Sequence, residues 1–255
     1  MIKYEVVNIK DKLVSLGINL EDLNLGDADY IIEHTGKKMR DRESDGWKKH
    51  GAFFRPNPER CIFIGEIIKK YKLESFFEVG FGRGAGSVSA CKAFDELGGN
   101  GECMVVEPNV DENHMQFLSK VFPESWLNRI QMARGTSAQV LPQLTDEYDF
   151  VYVDGDHRKD AVKFDYEHLK DKCKYFMLFD DFRINDPQKD IEVFEAFQEL
   201  SIDDKWKVEL IKMDRRIFVD DRRLSDDELT YGQLLLTNTK AVEELTRSKE
   251  VKFEW

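Results

Sequence analysis

The chain has 255 residues, enough for one large domain or one domain with an appendage. Hydrophobic residues make up 41% of it and aromatics 12%, which excludes a disordered chain. Thirty-eight Lys and Arg stand against 50 Asp and Glu, a formal net charge of −12. A surface that acidic repels phosphate, so nucleic acid and anionic membranes are not expected partners. No apolar run approaches the ~18 residues of a membrane span. The first residues lack the basic-then-apolar layout of a signal peptide. The four cysteines, at 61, 91, 103 and 173, form no CxxC pair. Each lies in or beside an apolar stretch and reads as a buried reduced thiol, as expected of a cytoplasmic protein.

In chain order, residues 1–58 are polar, with helical stretches around 9–16 and 20–34. The charged run 37–45 has no period and reads as an exposed loop. This segment is expected to be a cap, or a lid over a pocket. Residues 59–220 alternate strand and helix patterns. Apolar, β-rich runs fall at 75–80, 103–107, 129–133, 150–154 and 175–180. Helical spacing fills 85–97, 110–121, 137–143, 159–172 and 188–200. Short apolar strands separated by helices predict an α/β fold with a doubly wound, mostly parallel, Rossmann-like sheet. Trp206–Lys212 and 216–219, separated by a short break, predict a closing antiparallel hairpin strand. Residues 221–255 are charged, with helical stretches near 225–234 and 239–247, and read as a C-terminal helical extension.

A doubly wound sheet binds ligands at the carboxyl ends of its strands. The first strand ends Glu78-Val79-Gly80-Phe81-Gly82-Arg83-Gly84-Ala85-Gly86-Ser87. Alternating glycines let the backbone turn tightly and approach a ligand, and the next helix points its amides at an anionic group. The same spacing also satisfies the dinucleotide fingerprint. Glu107 closes the second strand, where a carboxylate can accept hydrogen bonds from ribose hydroxyls. After the third strand stand Thr136 and Ser137, with Thr136 equally readable as a helix cap. The fourth strand ends Asp154-Gly155-Asp156-His157 and the fifth Asp180-Asp181. These strands are expected to be neighbours, so their carboxylates would crowd one edge of the cleft. Oxygen ligands so arranged suit a hard cation such as Mg²⁺. The alternative is that Asp156 caps the following helix and Asp181 is a solvated turn residue.

The acidic residue, spacer and Gly-x-Gly-x-Gly of 78–84 resemble the first motif of the class I S-adenosylmethionine-dependent methyltransferases. With the two acid pairs, the resemblance narrows to metal-dependent small-molecule O-methyltransferases, above all those acting on sugars of natural products. It covers residues 59–220. It implies that Glu78, Gly80, Phe81, Gly82, Gly84 and Ser87 surround the methionine part of S-adenosylmethionine, with Glu107 at the ribose and Thr136 and Ser137 at the adenine. Asp154 lies at the cofactor edge. The metal ligands implied are Asp154, Asp180 and Asp181, and the general base is His157 or Asp156. Relatives tend to carry Ser where this chain has Gly86, with Ser87 following. The expected activity is methyl transfer to a hydroxyl of a small molecule, with Mg²⁺. Rivals are a metal-independent N- or O-methyltransferase, an NAD-dependent oxidoreductase and a non-catalytic cofactor-binding partner subunit. Assembly into a homo-oligomer stays open.

Overall fold

The computed structural model describes residues 2–23, 27, 30, 31, 35, 58–184, 191–212 and 230–250. The predicted loop at 37–45 and strand at 216–219 lie outside them, as does most of the helical reading at 20–34.

Five parallel strands form where the apolar runs were read. They are β2 (Ser75–Val79), β3 (Glu102–Glu107), β4 (Ile130–Arg134), β5 (Tyr148–Val153) and β6 (Cys173–Ile184). Two short elements precede them, β1 (Glu5–Asn8) and helix α1 (Ile9–Ser15). Helix α2 (Pro58–Tyr71) leads into β2. Proline suits its first turn, where an amide hydrogen would have no helical partner, and Ile64, Ile67 and Ile68 give it a buried face. Helix α3 (Ala85–Glu96) follows the glycine loop. Next in order are α4 (Glu112–Val121), α5 (Glu124–Leu127), α6 (Ser137–Val140), α7 (Lys159–Leu169) and α8 (Val193–Glu199). The chain continues as β7 (Trp206–Lys212), β8 (Thr230–Asn238) and α9 (Thr239–Glu250).

The strands form one eight-stranded sheet of order β1-β7-β8-β6-β5-β2-β3-β4. β8 runs antiparallel to both β6 and β7, and the other pairings are parallel. The expected antiparallel strand beside β7 is therefore present, but supplied by β8 rather than by the run at 216–219, with β1 at the edge beyond the pair. Two sequence readings change. Residues 230–234, read as helix, begin β8, and the polar N-terminal segment contributes a strand. Lys12 of α1 secures that edge by donating to the buried carboxylate of Glu209 on β7, at 2.5 Å.

Alternate residues of the central strands feed two cores, as the two-residue period requires. Phe76, Phe150, Tyr152, Phe176, Leu178 and Leu235 face α2 and α3. Phe77, Val79, Val151, Met177, Phe179 and Leu234 face α7 and α8. Burial on both faces explains why these strands read as continuous apolar runs. All four cysteines are buried and free, as expected. Among the described residues, no helix is long and apolar enough to cross a membrane.

Candidate functional site

The glycine loop leaves β2 with positive φ at Gly80 (87°), Gly82 (51°) and Gly84 (84°), a region that side chains with a Cβ disfavour. A Cβ on Gly80 would run into the carbonyl of Asp154, so the loop backs directly onto the end of β5. A Cβ on Gly82 would meet nothing within 4 Å, which leaves that stretch of backbone open to a ligand. Gly84 caps α3 and has the Phe81 ring packed over it.

Glu107 anchors the loop from below. Its Oε2 accepts the amides of Phe81 (3.1 Å) and Gly82 (3.3 Å), and its Oε1 accepts Asn109 N (2.8 Å). Glu78 behaves differently. It is 1% exposed, and its carboxyl takes a hydrogen bond from the Ser87 hydroxyl, which is also buried. A Cβ on Gly86 would collide with Glu78 and with the Tyr152 ring, so the glycine makes room for both. Burial pushes the Glu78 carboxyl well above the usual range, helped by Cys103 and opposed by Ser87 and Arg60. Glu78 and Ser87 are thus a buried pair on the strand and helix that flank the loop.

Thr136 caps α6, its backbone amide donating to Gln139 Oε1 at 2.9 Å, so the capping alternative holds for this residue. Ser137 is half-buried and lies beside Asp165 of α7, whose carboxyl burial pushes up to about 7 against the lowering effect of that hydroxyl.

The acid pairs meet across β5 and β6, as neighbouring strands should. Asp154, His157 and Asp181 each offer a ligand atom, all within 4.8 Å of one another. His157 Nε2 stands 3.3 Å from Asp181 Oδ2. Asp181 has φ of 52°, at an irregularity in the β6–β8 pairing. Asp180 is held elsewhere. It is 1% exposed, ion-paired with Arg60 Nη2, and accepts Tyr152 Oη at 2.9 Å and Gln233 Nε2 at 3.3 Å. Arg60 Nη1 also reaches Asp154 Oδ2 at 3.1 Å. Burial and the Asp180 charge raise the Asp154 carboxyl well above its usual range, while Arg60 opposes them. Asp156 is outside this group. Its carboxylate is exposed and gripped by Arg158, which holds it below the usual range. It does not cap α7, whose N-cap is Arg158.

The structure therefore brings together Asp154, His157 and Asp181 of the expected site, sets Asp180 into an ion pair, and leaves Asp156 outside. Sequence reasoning missed Arg60, Tyr152 and Gln233. Tyr152 had a signal, standing two residues before Asp154 and so on the same face of β5.

Residues 77–182 match the family model of a methyltransferase domain. The match runs from the glycine loop to the second acid pair, so it spans both halves of the site. No curated protein matches the sequence. Solved structures share this fold at low identity. The O-methyltransferase TomG from Streptomyces achromogenes, involved in tomaymycin synthesis and in complex with S-adenosylmethionine, is 14% identical over 90% of this chain and 96% of its own, with a TM-score of 0.56. An O-methyltransferase from Bacillus cereus in complex with S-adenosylhomocysteine is 11% identical, covering 90% and 97%, with a TM-score of 0.52. The S-adenosylhomocysteine-bound methyltransferase PaMTH1 from Podospora anserina is 15% identical, covering 82% and 87%, with a TM-score of 0.53.

Proposed function

We propose that the protein transfers the methyl group of S-adenosylmethionine to a hydroxyl of a small molecule, with a divalent ion such as Mg²⁺ at the acid cluster. The observation that carries this reading is one of placement. The loop is open at Gly82 and backs at Gly80 onto Asp154, which shares a cluster with His157 and Asp181. Cofactor and proton acceptor would then meet at the ends of neighbouring strands. TomG's part in tomaymycin synthesis supports a small-molecule acceptor.

When bound, S-adenosylmethionine supplies an electrophilic methyl on its sulfonium, and a divalent ion supplies a Lewis acid that favours the alkoxide. The chain does the rest. Gly80, Phe81, Gly82 and Gly84 shape the cradle for the methionine part. Glu78 and Ser87 support it from beneath. Glu107 holds the loop and presents its carboxylate to the ribose, while Thr136 and Ser137 border the adenine. Asp154 and Asp181 fit a hard cation as oxygen donors. His157, with Nε2 turned to Asp181, accepts the hydroxyl proton at its other ring nitrogen. The acceptor O–H bond breaks, the O–CH₃ bond forms, and the S–CH₃ bond breaks to leave neutral S-adenosylhomocysteine.

A metal-independent reading is second. The ion pairs from Arg60 favour it, because they already neutralise part of the cluster. Calorimetry against S-adenosylhomocysteine and NAD tests the cofactor, and preference for NAD sinks the methyltransferase reading. Chelation should abolish turnover and Mg²⁺ restore it. Full activity in excess chelator selects the metal-independent reading.

A further inference from the structure

Asp180 continues the alternation of Phe176 and Leu178, so it points to the α2 face of the sheet. Tyr152 and Glu78 lie on that same face, in register on adjacent strands. Gln233 of β8 completes a buried polar row with Asp180. Arg60 descends on this row from the first turn of α2, with its side chain 12% exposed. A cation in the first turn of a helix opposes the helix dipole. Its place is therefore set by the carboxylates beneath it. The planar guanidinium spans two of them, one nitrogen to Asp154 on β5 and the other to Asp180 on β6. Tyr152 Oη donates into the same two carboxylates, at 3.3 Å to Asp154 and 2.9 Å to Asp180.

We propose that Arg60 is the resident cation of this row: it, and not a metal ion, neutralises Asp180, and it fixes Asp154 Oδ2, so that metal binding is confined to the outer carboxylates, Asp154 and Asp181, beside His157. Arg60 is a positioning residue in this assignment. The assignment deepens the proposed function by removing one expected ligand from its metal site. It also holds without that metal, because the ion pairs stand on their own geometry.

The test is a Mn²⁺ titration of the full chain with S-adenosylhomocysteine bound, read by electron paramagnetic resonance. Asp180→Asn should change Mn²⁺ affinity by no more than about threefold, whereas Asp181→Asn should weaken it by about tenfold or more. Arg60→Met should tighten Mn²⁺ binding by about tenfold or more, because a fixed positive charge has gone and Asp180 is released. Asp180→Asn in the Arg60→Met background should abolish that gain, and Arg60→Lys, whose single ammonium keeps the charge without spanning both carboxylates, should fall between the parent and Arg60→Met. A merely structural arginine would instead weaken Mn²⁺ binding when replaced. The proposal is overturned if Asp180→Asn costs as much as Asp181→Asn, or if Arg60→Met weakens binding. If Arg60→Met folds poorly, the Asp180→Asn comparison still decides. Mn²⁺ binding only in Arg60→Met and dependent on Asp180 upholds the assignment while removing the metal from the proposed function. Loss of Mn²⁺ binding with Asp180→Asn leaves the proposed function standing and removes the assignment.

Discussion

The two halves of the site solve the same problem by different means. At the glycine loop, the Glu107 carboxylate is satisfied by three backbone amides, two from the loop and one from Asn109, two residues beyond Glu107 in the chain. At the acid row, Asp180 is satisfied by side chains from three separate elements, Arg60 on α2, Tyr152 on β5 and Gln233 on β8. Backbone amides are set by local conformation and cost no side-chain entropy. A guanidinium delivered from another helix needs the whole sheet in place first, and leaves buried charge behind if it is removed. The loop carboxylate is therefore met by backbone alone, and the acid row by side chains that three elements deliver.

The strongest break in this comparison falls on the open rim of the acid group. His157 is half-buried and faces Asp181. As general base it should contribute ~10²–10⁴-fold to the maximal rate. His157→Ala should lower kcat by that order while S-adenosylhomocysteine affinity, measured by calorimetry, stays near the parent. A variant that turns over like the parent removes His157 from the chemistry. A Mn²⁺ affinity that falls with kcat assigns it to the metal.

Glu107 gives a smaller effect, confined to the loop. Its loss removes the acceptor for the Phe81 and Gly82 amides and, under the proposed function, a contact to the ribose. Glu107→Ala should weaken S-adenosylhomocysteine binding by ~1–3 kcal/mol, as for hydrogen bonds to a charged group. Glu107→Gln keeps one acceptor oxygen and should lose less. If both variants bind as the parent does, the loop holds its shape without this carboxylate.

This division also explains what the sequence made legible. The glycine spacing, the acid at the end of β3 and the five apolar runs are local signals, and the structure contains each. Arg60 lies 94 residues from Asp154 in the chain, and nothing in its neighbourhood marks it as their partner. Gln233 sits beside Leu234, Leu235 and Leu236, a short apolar run that periodicity cannot assign to helix or strand. Reading it as helix hid both β8 and its polar side chain. The edge strand β1 is only four residues long, too short for alternation to stand out in a polar segment. The two aspartates that end β6 look equivalent in sequence. A strand alternates its faces, and the irregularity at Asp181 turns its backbone to positive φ, so one is sealed by Arg60 and the other meets His157.

Asp165 shows a third way to bury an acid, and it yields the smallest effect. It sits in α7 with no exposed surface, beside Ser137, and Asp156 is the nearby charge that adds to its shift. Neither an arginine nor a set of amides compensates the burial, so its carboxyl rises to about 7 and holds its proton. An unfolded aspartate titrates near ~3.9. Between those values the folded chain binds the extra proton, so stability from this group is present at low pH and is lost as pH rises through about 7. Between pH 6 and 8 the loss amounts to about 1.4 kcal/mol, one pKa unit's worth. Asp165→Asn cannot titrate. Urea denaturation should show the parent losing that amount relative to the variant over this interval, with the two converging in slope above pH 8. Parallel stability curves from pH 6 to 8 would mean that the Ser137 hydroxyl satisfies the carboxylate as fully as the amides satisfy Glu107.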